Sequence, residues 1–301
     1  FGIAMTGLWI PAAINLAGVR QMAWFQNVTV VLKFVPLLVV ATLGWFFVTT
    51  ANFGPFNASG GNLYDALNLA AGVALFSFIG VETAAIAAGR VRNPRRNVGR
   101  ASTYGTAAAG LLYIGVTAAV MGLVPHTELV DDGAPFVAAF DAMFSSAGWV
   151  GKGVALVAVI SGIGALNGWT MVTAEMPYAA AKDGLFLSAF AKVNKANVPW
   201  IGIIVSTAVA SALMAWSYST ETGLKVFTYL VYLSVVTVAI PYFLSACAQL
   251  AYLVSGRRAV HGWTLARDLT IATVGILFSL WVTFASGYQS VYQAMLLLLL
   301  G

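Results

Sequence analysis

The chain has 301 residues, of which 60% are hydrophobic and only 8% charged, and its net charge is +5. Soluble domains carry about 25% charged residues, and a water-facing surface of this size cannot be covered with so few. A soluble globular domain is therefore excluded, and nucleic acid is not an expected partner, because the basic residues lie in loops between apolar runs and read as topology signals.

A membrane crossing needs about 20 apolar residues, and it must be a helix because nothing in hydrocarbon satisfies an open backbone. In chain order the predicted spans are about 1–18 (shortened), 26–49, 66–89, 101–124, 153–178, 200–217, 226–254, 269–286 and a partial span from 288. That makes seven full crossings and two incomplete ends. The chain opens on Phe1, not Met, is apolar at once and shows no signal peptide. It closes on Leu296 to Leu300 and Gly301, roughly half a span. Both ends therefore read as cut inside a span. The outer loop from Pro125 to Gly148 has room for a short interfacial helix near Pro135–Ser146, and the inner loop from Asp183 to Pro199 for another.

Charge tests this map. Twelve of the fifteen Lys and Arg fall in one alternate set of loops: Arg20; Arg90, Arg92, Arg95, Arg96 and Arg100; Lys182, Lys192 and Lys195; Arg257, Arg258 and Arg267. The opposite set holds only Lys152 and Lys225, while Asp65, Glu128, Asp131, Asp132, Asp141 and Glu221 lie on its side. The basic set is cytoplasmic by the positive-inside rule.

Polar features at span depth cost free energy and ask for a reason. Glu82 lies midway along an apolar run, beside Ser77, Gly80 and Thr83. Gly80 lets the backbone leave helical geometry, so this span reads as an interrupted helix presenting main-chain groups and a carboxyl to a wet cavity; a protonated, interhelical Glu82 is the bland alternative. Lys33 lies about two turns from the cytoplasmic end, where snorkelling competes evenly with a functional role. Trp169 offers an aromatic face at mid-depth. Ser234 and Tyr242 are polar at depth in one span; Tyr242 directly follows Pro241, which can kink the helix and remove a backbone donor. Gly162-Ile163-Gly164 reads as close helix packing, and the lone Cys247 as a small buried hydrophobe. There is no nucleophile–base pair, metal cluster or phosphate-binding loop, so neither an enzyme nor a cofactor or metal is expected.

Two motif groups then carry a resemblance. Phe76-Ser77-Phe78-Ile79-Gly80-Val81-Glu82-Thr83 with Asn93-Pro94-Arg95-Arg96-Asn97 resembles the sixth helix and following loop of the amino acid–polyamine–organocation transporters. Asn167-Gly168-Trp169-Thr170, with Ala181-Lys182-Asp183-Gly184-Leu185-Phe186 and Lys192-Val193-Asn194-Lys195, resembles their eighth helix and its loop. The nearest likeness is to the basic amino acid/polyamine antiporters, which include the arginine–agmatine exchanger. The resemblance implies an all-α polytopic membrane protein with a LeuT-like inverted-repeat fold, incomplete and running from about helix four to helix twelve. Residues 1–49 would close the first repeat, 66–254 would form the second, and 269–301 would supply two C-terminal helices, the last incomplete.

The implied function is secondary active transport of amino acids or polyamines across the plasma membrane by alternating access, as an antiporter or proton-coupled permease. A neutral amino acid permease of the same superfamily and an inactive remnant stay open as alternatives, and a channel ranks below them. The implied partners are a small amino acid or amine, protons, the lipid bilayer and, as an assembly, a homodimer. Carried over residue by residue, Phe76, Ile79, Gly80, Trp169 and Ser234 would bind substrate. Glu82, Lys33 and Tyr242 would serve gating or proton coupling. Phe76 departs from the arginine exchanger, which has a tryptophan stacking on substrate there, and its weaker cation–π face argues against a guanidinium. Lys33 resembles the fifth-helix lysine of proton-coupled relatives.

Overall fold

The computed structural model describes residues 1–58, 60–86, 91–130, 132–144, 148–220, 223–256 and 261–300. The far end of the predicted 66–89 span (87–89), together with Arg90, Asp131, Ser146, Glu221, Arg257, Arg258 and Gly301, lies outside them. The described residues form helices and irregular segments, without strands. In chain order these are α1 (Gly2–Ala17), α2 (Val19–Thr42), α3 (Leu63–Phe76), α4 (Thr83–Ile86), α5 (Pro94–Leu123), α6 (His126–Leu129), α7 (Pro135–Met143), α8 (Gly148–Lys182), α9 (Trp200–Thr220), α10 (Gly223–Val254), α11 (Trp263–Ala285) and α12 (Tyr288–Leu300). Short 3₁₀ turns occupy Leu43–Phe47, Thr50–Phe53 and Ser188–Ala191.

Among the described residues six helices are long and apolar enough to cross a membrane: α2, α5, α8, α9, α10 and α11. The seventh predicted crossing, 66–89, is discontinuous. Its α-helix stops at Phe76, a non-helical stretch follows through Glu82, and one turn of helix resumes at Thr83. The interfacial helix forms as α7, whereas the inner loop makes only a single 3₁₀ turn. At 35 residues, α8 is about 52 Å long at 1.5 Å per residue, against about 30 Å of hydrocarbon. Its ends therefore stand clear of the acyl region, and Lys182 in its last turn places its ammonium 5.3 Å from the Tyr178 ring centre. Leu111 and Ile114 of α5 are 75% and 71% exposed, which suits acyl chains and not water.

Packing gathers the helices into two compact units, Phe1–Phe56 with Val81–Ser219, and Asn57–Gly80 with Thr220–Gly301. The chain passes from one to the other at Gly80–Val81, inside the broken span. In the first unit, Val40 of α2, Val116, Ala119, Val120 and Leu123 of α5, and Ala139, Phe140 and Met143 of α7 form one apolar cluster. A second joins Ala12 of α1, Ala174 of α8, and Val198 and Ile203 at the start of α9. In the second unit, Leu75, Val235 and Val282 bring α3, α10 and α11 together. Gly72 lies against the Tyr232 ring, where a Cβ would come within 2.6 Å of Cε1.

Two of the loop motifs are seen to do structural work. Asn93 takes the left-handed conformation (φ 52°), which asparagine tolerates better than most residues, and Pro94 opens α5 at its first turn, where no amide is missed. Asn194 accepts hydrogen bonds from the amides of Ala196 (2.9 Å) and Val198 (3.1 Å) and donates from Nδ2 to the Leu16 carbonyl (2.9 Å). The inner loop is thereby fastened to the end of α1.

Candidate functional site

The interruption at Phe76–Thr83 is built from local chemistry. The Ser77 amide still reaches the Val73 carbonyl, and the Ser77 hydroxyl donates to the same oxygen at 3.3 Å. The next bonds tighten to a three-residue span, from the Phe78 amide to the Leu75 carbonyl (2.9 Å) and from the Ile79 amide to the Phe76 carbonyl (3.2 Å). Gly80 then adopts φ 110°, a backbone region in which a side chain is strained. Helical bonding resumes with the Ala85 amide on the Glu82 carbonyl (2.8 Å), and the Ser102 hydroxyl of α5 donates to the Val81 carbonyl (3.4 Å). Glu82 is half-buried at the head of α4, which packs on α5 and α8.

In the unit that holds α3, Phe76 and Ile79 pack against the Leu75, Val235 and Val282 cluster. The Phe76 ring stands edge-on to Phe227, centroids 6.1 Å apart and planes at 86°. Ser234 is half-buried on α10, beside Val235, and its carbonyl accepts from the Thr237 hydroxyl (2.9 Å). Tyr242, also half-buried, follows Pro241, which removes the amide that would have bonded the Thr237 carbonyl.

In the other unit, Lys33 lines a cavity of about 320 Å³ with Pro36 and Leu37 of α2, Phe136 of α7, and α8 residues including Val157 and Ser161. Among the described residues Lys33 forms no ion pair. Trp169 is 38% exposed on α8, and its carbonyl accepts from the Thr173 hydroxyl (3.0 Å).

Two residues before Trp169, at Asn167, lies a polar knot that the sequence reading missed. Asn15 of α1 and Asn167 of α8 are 1% and 0% exposed. Asn15 Nδ2 donates toward the Pro11 carbonyl (2.8 Å), the Asn167 carbonyl (3.1 Å) and Asn167 Oδ1 (2.9 Å). Asn167 Nδ2 donates to Gln26 Oε1 of α2 at 3.1 Å. Three acceptors crowd one amide nitrogen, so the Asn15 amide cannot be turned over without setting oxygen against oxygen. One turn away, Gly164 meets Thr29, where a Cβ would come within 2.2 Å of Oγ1. The available signal was an amide within an apolar run, which in a bilayer points to an interhelical bond.

A family model described as amino acid permease matches residues 1–299. The putrescine transporter PotE of Haemophilus influenzae is 30% identical over 295 residues, covering 98% of this chain and 67% of the relative. PotE of Escherichia coli is 30% identical over 307 residues, covering all of this chain and 68% of the relative. A putative arginine/ornithine antiporter of Bacillus subtilis is 32% identical over 291 residues, covering 94% of this chain and 61% of the relative. The chain belongs to the amino acid permease family of the amino acid–polyamine–organocation superfamily, and is a multi-pass, all-α membrane protein.

Proposed function

We propose that the protein carries amino acids or polyamines across the plasma membrane by alternating access, as an antiporter or proton-coupled permease, and leaves the solute chemically unchanged. The observation that carries this reading is the helix broken between Phe76 and Thr83, with Gly80 at positive φ and Glu82 at the restart. Discontinuous helices are how membrane carriers bring main-chain dipoles and carboxyl groups to a solute at bilayer depth. The names of the relatives, a putrescine transporter and an arginine/ornithine antiporter, support the substrate class. In this reading Phe76, Ile79, Gly80, Trp169 and Ser234 contact substrate. Glu82, Lys33 and Tyr242 serve gating or proton coupling.

Phe76 favours a second reading in which the substrate is a neutral amino acid. Its ring is a poorer cation partner than an indole and is already engaged edge-on with Phe227. Uptake of putrescine, arginine and alanine into proteoliposomes separates the two, and Glu82→Gln and Trp169→Leu test the site. Each substitution is expected to lower the uptake rate at least about tenfold, the weight of about 1.4 kcal/mol in binding or gating. Unchanged uptake in both variants would end the site assignment, and saturation by alanine alone would select the neutral substrate.

A further inference from the structure

The corner where α1 meets α2 holds a groove that the transport reading leaves unused. Gly18 makes the corner with φ 131°, and a Cβ there would come within 3.1 Å of Gln21 Oε1 and 3.5 Å of the Ala196 side chain. Beside it opens a cavity of about 450 Å³ lined by Ile14 of α1 and by Arg20, Gln21, Trp24 and Phe25 of α2. The walls are apolar apart from Arg20 and Gln21 at one end. Trp24 is 68% exposed. The inner loop, tied to the Leu16 carbonyl through Asn194, brings exposed Lys192 and Lys195 to the same end of the span. Among the described residues none of Arg20, Lys192 and Lys195 has an acidic partner.

We propose that this corner binds an anionic glycerophospholipid of the cytoplasmic leaflet. The headgroup phosphate meets Arg20, with Lys192 and Lys195 adding field, and an acyl chain lies along Ile14, Trp24 and Phe25. Charge selects the occupant: three cations without an acidic partner among the described residues stand on the side of the membrane that the Lys and Arg distribution marks as cytoplasmic, and the anionic lipids of that leaflet attract such clusters. An arginine guanidinium can chelate a phosphate with two N–H groups. The indole is amphipathic and suits the headgroup level, where tryptophan concentrates. A neutral detergent would fill the apolar groove but leave the cations unmatched, and the phosphate of a zwitterionic lipid is already offset by that lipid's own ammonium, so it brings no net charge to three cations.

Native mass spectrometry of the full chain, released from micelles with dioleoyl-phosphatidylglycerol or dioleoyl-phosphatidylcholine, tests this. Wild type is expected to retain phosphatidylglycerol in preference to phosphatidylcholine, and Arg20→Gln to weaken that retention about fivefold, the effect of one cation near an anionic surface. Lys192→Gln with Lys195→Gln, on an exposed loop, is expected to weaken it in the same direction and serves where Arg20→Gln does not fold. Brominated phosphatidylglycerol should quench the emission lost in Trp24→Phe at a lower mole fraction than brominated phosphatidylcholine. Equal retention of the two lipids by wild type, or undiminished phosphatidylglycerol retention in the charge variants, overturns the proposal.

Discussion

At the scale of single residues, the most informative positions are the small and amide-bearing ones, because in lipid they decide how closely helices approach. Gly162 and Gly164 look alike in sequence and differ in the structure. A Cβ on Gly164 would collide with Thr29, a β-branched side chain with little freedom to turn, whereas one on Gly162 meets nothing within 4 Å. Gly164→Ala is therefore expected to destabilise the protein by about 1–3 kcal/mol, the usual cost of overpacking. Gly162→Ala should be neutral or stabilising by up to about 1 kcal/mol through helix propensity. Thermal unfolding of both variants in detergent checks the contrast. The Asn15–Asn167–Gln26 knot behaves differently. A single interhelical hydrogen bond in a membrane contributes about 0.6 kcal/mol on average, but a buried polar group left without a partner costs about 1–3 kcal/mol. Asn167→Ala strips a partner from both Asn15 and Gln26, so the orphaned amides dominate its effect. A fall of about 1–3 kcal/mol is expected in the same unfolding assay, while Asn167→Ser, which keeps a hydroxyl there, should lose less.

Among the elements, the broken span between α3 and α4 stands apart. Every other predicted full crossing became an unbroken helix or, in α2, a helix finished by a 3₁₀ turn. Proline did not make the difference, since Pro36, Pro177 and Pro241 all lie inside continuous helices. The stretch from Ser77 to Glu82 combines a hydroxyl that competes for a helix carbonyl with a glycine at φ 110°. An alanine at position 80 would hold that backbone at a cost of about 1–3 kcal/mol, or draw it toward helix. Gly80→Ala is expected to reach the membrane folded and to lower uptake at least about tenfold, a ratio equivalent to about 1.4 kcal/mol. Wild-type uptake rates in folded Gly80→Ala would show that the irregular backbone is not needed for transport.

On the scale of the whole molecule, the division of Lys and Arg between alternate loops sets the orientation. It places Lys152, near the start of α8, outside and Lys192, in the loop after α8, inside. With Cys247 replaced by serine, a single cysteine at position 152 should react with a membrane-impermeant maleimide in intact cells. One at position 192 should react only after permeabilisation. The opposite pattern would reverse the assignment of the basic corner at Arg20 to the cytoplasmic leaflet, and with it the choice of lipid.

The bilayer makes some of this protein readable from its residues alone and hides the rest. Class, span positions, the interrupted helix and the charge-marked sides follow from the sequence, because hydrocarbon imposes a length, a polarity and a helical backbone on each crossing separately. The tertiary structure alone decided that Gly164, and not Gly162, is the close-packing glycine, that Asn15 and Gln26 share the bonds of Asn167, that Phe76 is paired with Phe227, and that Asn194 fastens the inner loop to α1. These are choices of partner across distances of up to 178 residues in sequence. An apolar run carries no periodic signal of which of its faces meets protein and which meets lipid, so only packing reveals them.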